Sequence, residues 1–143
     1  MSFKKTAKEI LKMFNRKYRL TDEQMDVYGH TVYRIKALKD IPEFKIKKGD
    51  TGGFVESERN LSHAGKSWVT DCAIVYGKAR VKDDAWVGFG ALVRDNARIS
   101  GNAVVHDFAI IGGNKRINGN IMVSGNRLWG SQARQAFKRT GPQ

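Results

Sequence analysis

From Ser67 onward the apolar residues recur every six positions. Written in sixes the chain reads SWVTDC, AIVYGK, ARVKDD, AWVGFG, ALVRDN, ARISGN, AVVHDF, AIIGGN, KRINGN, IMVSGN, RLWGSQ. The third position is Val69, Val75, Val81, Val87, Val93, Ile99, Val105, Ile111, Ile117, Val123 and Trp129. The first is alanine without a break from Ala73 to Ala109. Alternate residues of a strand share a face, so positions one and three point inward and positions two and four outward. A small residue followed by a β-branched one suits a narrow interior. Positions five and six are mostly Gly, Asp and Asn, which tolerate the left-handed backbone of a tight corner. A short strand and a corner in every six residues give three faces per coil, a triangular prism. The period excludes an α-helix, whose apolar positions recur at about 3.6.

The chain ahead of the rungs follows other patterns. Residues 3–16 place Phe3, Ala7, Ile10, Leu11 and Phe14 on one helical face and Lys4, Lys5, Lys8, Lys12 and Arg16 on the other. This predicts a basic amphipathic helix, with Ser2 able to cap it and its apolar face docked on its own domain. Residues 25–38 alternate around a Gly29-His30 turn signal and predict a β-hairpin. The hairpin is expected to cap the open lower end of the prism, where strand edges would otherwise be unpaired. The organisation expected is helix at 1–17, hairpin and cap at 18–53, β-helix at 54–132 and basic tail at 133–143.

Residues one coil apart stack about 4.8 Å from each other, as neighbouring strands do. The outward second positions then form three ladders. One carries Trp68, Trp86, Val104 and Met122, the next Ile74, Leu92, Ile110 and Leu128, the third Arg80, Arg98 and Arg116. Exposed apolar faces of this extent mark an interface, and these eight apolar residues are the expected oligomer contact. Stacked arginines repel one another. Either the corner carboxylates Asp83, Asp84 and Asp95 neutralise them, or they form an anion-binding stripe with Lys82. Lys115 and Arg127 stand where the pattern wants a small inward residue, and both are expected to escape outward.

Charge sharpens this picture. There are 26 Lys and Arg against 14 Asp and Glu, a formal charge of +12. Such a surplus favours anionic partners, namely nucleic acid, a nucleoprotein or an acidic protein face. The lysines Lys4, Lys5, Lys8 and Lys12 are counted with the ladder as candidate contacts. The single cysteine, Cys72, permits no internal disulfide. That usage suits a reducing compartment, and no apolar stretch reaches the ~20 residues of a membrane span, so a cytoplasmic protein is expected. The sequence suggests no metal site or cofactor.

The Ala-x-Val/Ile rungs with Gly-Asn corners resemble the hexapeptide-repeat superfamily of left-handed parallel β-helices. That superfamily includes trimeric acyltransferases and γ-class carbonic anhydrases. The lead-in TVYRIKALKD and KKGDTGGFVESERNLS resembles that of small hexapeptide-repeat proteins from bacterial and prophage genomes. The resemblance implies an all-β, left-handed parallel β-helix, here of about three and a half coils, a homotrimer, and a bacterial host cell. It does not bring an activity. The rungs contain no inserted loop to hold an acyl carrier, and His30, His63 and His106 lack the spacing of the anhydrase metal ligands. His106, outward on the tryptophan face, is the one candidate general base if the chain were an acyltransferase. A structural assembly component is the third alternative. The reading adopted is a non-catalytic binding protein with a basic stripe, with a phage protein acting on a host-defence or nucleic-acid-handling complex as its specific form.

Overall fold

The structure, a computed structural model, describes residues 6–125, and of residues 11–14 the backbone alone. The chain is a β-solenoid of about four turns. Three parallel stacks form its faces. Trp68, Trp86, Val104 and Met122 pair in register on the first. Ile74, Leu92 and Ile110 do so on the second, and Arg80, Arg98 and Arg116 on the third. Each rung gives only two or three residues to a strand, and backbone N–H groups reach up one coil. Trp68 N donates to Ala85 O at 3.0 Å and Arg80 N to Ala97 O at 3.0 Å. The inward register is as expected: the alanines from Ala73 to Ala109 and the third-position residues from Val69 to Val123 are all buried. Lys115 is exposed, so the charge is not held inside.

The corners explain the period. A left-handed residue stands at the fifth position of nine successive rungs: Asp71, Gly77, Asp83, Phe89, Asp95, Gly101, Asp107, Gly113 and Gly119. Two of the aspartates also tie coils together. Asp83 Oδ2 accepts from Gly101 N at 2.9 Å, and Asp95 Oδ2 from Gly113 N at 2.7 Å. Asp95→Ala removes this bond and puts Ala at a φ of 58°. A loss of about 1–2 kcal/mol in urea unfolding is expected. Phe89 and Phe108 break the chemical rule, at φ of 47° and 64°. Phe108 lies across Gly90, where a Cβ would meet the ring at 2.6 Å.

The solenoid begins before Ser67. Phe54 and Val55 pair with Ile74 and Val75, and Leu61 bridges to Val81. Gly53 takes the alanine position, and a Cβ there would sit 2.5 Å from Ala73 O. The six-residue register is lost between Leu61 and Val69, which are eight apart, so the unbroken repeat starts only at Ser67 although the expected β-helix starts at 54.

The cap is a continuation of one face. Strand β1 (Tyr18–Val27) and strand β2 (His30–Ala37) form a hairpin that turns at Tyr28-Gly29, one residue ahead of the expected place. Strand β2 pairs antiparallel with β3 (Thr51–Val55), which pairs parallel with the Ile74 rung. The lower sheet edge is therefore occupied. In helix α1 (Ala7–Phe14) Thr6 Oγ1 accepts from Glu9 N at 3.1 Å; Ser2, the expected cap, lies outside the described residues. Its Ile10 is 42% exposed, so docking of the apolar face is not seen at this residue.

The cap also corrects the expected interface. Trp68 is fully buried in one core with Tyr18, Ile35 and Ile41 of the lead-in, and so it offers no surface to a second subunit. Trp86 is partly buried, with Phe44 and Phe89 packed near it at ring distances of 6.4 and 5.3 Å. On the next face Val32, Phe54 and Tyr76 cluster against Ile74 and Leu92. The lead-in thus shields the lower rungs of both apolar ladders. Ile110 and Met122 stay more than half exposed, Val104 is half-buried, and Leu128 lies outside the described residues.

A candidate anion-binding face

The arginine face is concave. Arg80, Lys82, Arg98, Ile99, Ser100, Arg116 and Asn118 line a groove of about 420 Å³. The repeat builds it directly. Position two of three successive rungs supplies the arginine column, in register from Arg80 through Arg98 to Arg116. Position four supplies a second column of Lys82, Ser100 and Asn118. Two residues along a strand separate the columns by roughly 6–7 Å.

The corner carboxylates do not neutralise this column. Asp83 and Asp95 are engaged by backbone N–H groups of the coil above, and Asp84 Oδ1 accepts from Lys66 N at 3.2 Å. Asp95 also lies 3.8 Å from Arg94, which is not in the column. Among the described residues no ion pair involves Arg80, Lys82, Arg98 or Arg116. Of the two readings left open by the sequence, the anion-binding stripe therefore has the geometric support. The carboxylates serve the turns, because a corner N–H left unpaired costs more than an exposed cation left to water.

The stripe is smaller than the candidate set. Lys8 is exposed on α1 and does not line the groove; Lys4 and Lys5 lie outside the described residues, and the Lys12 side chain is not described. Sequence reasoning missed Ser100 and Asn118, whose outward fourth positions were legible from the period but carried no charge to draw notice.

His106 belongs to another face. Its Nδ1 lies 3.1 Å from Asp107 Oδ2, and its Nε2 is buried without a hydrogen-bond partner. Ser124, its register partner one coil up, is also buried with an unpartnered Oγ. A general base needs reach to a proton on substrate, and a buried Nε2 away from the groove lacks it. Cys72 is exposed at a corner. Among the described residues no group of His, Cys, Asp and Glu is arranged to hold a metal ion, and no helix is long and apolar enough to cross a membrane.

A second polar cluster lies beneath the first coil. Lys17 is fully buried, its Nζ donating to Ser67 Oγ at 2.9 Å. Its backbone N–H donates to His63 Nδ1 at 3.1 Å, and His63 Nε2 lies 2.7 Å from Glu58 Oε1. Glu58 also pairs with Arg16 at 3.2 Å, and Tyr18 stacks on His63 with ring centroids 4.3 Å apart. Burial is the main cause that holds the Lys17 ammonium down to about 7, helped by Lys39 and opposed by Asp84. Burial also lowers His63, against the raising effect of Glu58. These contacts fasten the start of β1 to the first coil, and they explain the cluster structurally. No family model and no curated protein matches the chain.

Proposed function

We propose that this protein is a non-catalytic binding protein whose basic face engages the phosphates of nucleic acid, free or within a nucleoprotein. The observation that carries the reading is the column Arg80, Arg98 and Arg116, which lines a groove with no carboxylate partner among the described residues. Stacked cations of one sign destabilise a sheet, and an anionic ligand relieves that repulsion while gaining charge-assisted hydrogen bonds. The overall charge of +12 supports attraction at a distance. Straight short strands offer no recognition helix, so contacts fall on the backbone and not on base edges in a groove. The test is binding to single- and double-stranded nucleic acid across a salt series. Affinity is expected to fall steeply with salt and to be lost when Arg80, Arg98 and Arg116 are all changed to Glu. Binding that is absent at low salt, or that survives the triple change, refutes the reading.

The protein acts as a homotrimer in this proposal, and a phage-encoded protein acting inside a bacterial host on a defence complex is its most specific form. The upper ends of the apolar ladders support association, since Ile110 and Met122 are 61% and 53% exposed on adjoining faces. Ile110→Lys is expected to lower the mass measured by light scattering to that of one chain. An unchanged mass removes this residue from the contact.

A further inference from the structure

The two columns of the groove differ in chemistry, and the difference narrows the ligand. Arginine fills position two on the three successive rungs that line the groove. Position four changes from Lys82 on the lowest coil to Ser100 and Asn118 above. One edge is therefore cationic throughout, and the other is mainly neutral and hydrogen-bonding. Ser100 has a hydroxyl to offer. Asn118 Oδ1 accepts from Gly119 N at 2.7 Å, which fixes the amide and leaves its Nδ2 as donor. A bare polyanion would use only the first edge. A ligand with phosphates on one side and sugar or base polar groups on the other uses both.

Length over the described residues narrows it further. At about 4.8 Å per coil, Arg80 to Arg116 spans roughly 10 Å. Below Arg80 the column is closed. The first coil brings Asn60, not a cation, to this stack. Asn60 is fully buried, with its Nδ2 donating to Gly77 O at 3.2 Å and Ala79 O at 2.8 Å. The concavity of about 420 Å³ is of the size that encloses a small molecule. A duplex, whose major groove alone is about 12 Å wide, reaches such a site with one strand only.

We infer that the groove binds a short single-stranded oligonucleotide, two or three nucleotides long, with its phosphates on Arg80, Arg98 and Arg116 and its sugars and bases over Ser100 and Asn118. This rests on the proposal that the basic face is a phosphate site and gives that site a ligand class. A di- or trinucleotide then meets all three arginines of the described column, and a longer strand is expected to gain affinity chiefly through the number of registers it offers.

The experiment is calorimetric titration of the full chain with a trinucleotide, a single strand of about twelve nucleotides, a duplex of that length and inorganic tripolyphosphate, at about 50 mM salt. The trinucleotide is expected to bind within about threefold of the long strand per register. The double variant Ser100→Ala, Asn118→Ala is expected to weaken the trinucleotide about tenfold while leaving tripolyphosphate unchanged. Both side chains are outside the core, so the variant should fold, and its melting curve checks this. Tight binding of the duplex or long strand with none of the trinucleotide overturns the inference and leaves the phosphate face standing. So does an equal loss, or no loss, for trinucleotide and tripolyphosphate in the double variant. Absence of binding by all four probes sinks the phosphate face itself.

Discussion

Val93→Asp abolishes the cooperative unfolding transition. Val93 is fully buried, in register between Val75 below and Ile111 above. A carboxylate placed there has neighbouring apolar side chains and no partner. Keeping it ionised is prohibitive, and even in its neutral form the unpaired polar group costs several kcal/mol. Total stability is only about 5–15 kcal/mol for a domain. The position is also the middle of a stack in which each coil rests on its neighbours, so the lesion separates the lower coils from the upper. Circular dichroism should show little folded signal at room temperature, or a melting midpoint lowered by tens of degrees. Asn96→Asp, an exposed corner of the same rung, should melt like the parent. A Val93→Asp protein with unaltered melting would mean that the inward register is wrong.

The second large effect is on pH dependence. Lys17 has an ordinary value of 10.5, pushed down to about 7 in the folded chain. Between these two values the unfolded chain binds a proton that the folded chain has released, so unfolding free energy rises with pH. Below about 7 both states carry the charge, and the fold bears the full cost of a buried ammonium. A gain of about 3 kcal/mol is expected between pH 7 and 9.5 from this group alone. Two neighbours set the limits of the window. His63 is lowered from 6.5, so its own gain lies at acid pH and is complete near 7. Tyr18 is raised, chiefly by burial, so its contribution is lost only above pH 10. Denaturant unfolding across pH 7–9.5 should show the slope in the parent and lose it in Lys17→Met. A parent curve that is flat would mean Lys17 is not the buried titrating group described.

How much of this was legible beforehand differs by element. The solenoid was written in the chain at every rung from Ala73 to Val123, because a period of six admits one inward register and a slip of one residue would expose every valine. The left-handed corners were legible where Gly or Asp stands, and not at Phe89, where an aromatic side chain occupies a backbone state it disfavours. The β-helix was expected from residue 54, but the individual rungs of its first coil were not legible, because the segment before Ser67 breaks the spacing. The arginine column was visible as a pattern, yet its chemical state was not. Whether Asp83 and Asp95 face the arginines or the coil above depends on corner geometry that the residue order does not encode.

By itself the sequence determined the architecture: parallel coils, an Ala and Val/Ile interior, and a vertical stack of three arginines. These follow from local alternation and turn chemistry, repeated until only one packing satisfies them all. Tertiary structure alone decided three matters. The lead-in fastens beneath the solenoid, so Trp68 is core and not interface, since fifty residues without a period can fold over a face in ways no pattern predicts. Lys17 is buried with Ser67, fifty positions away. The carboxylates cap the corners, and this leaves the arginine column without an ion-pair partner among the described residues, because buried or constrained backbone N–H groups compete for those oxygens more strongly than solvated guanidinium groups do.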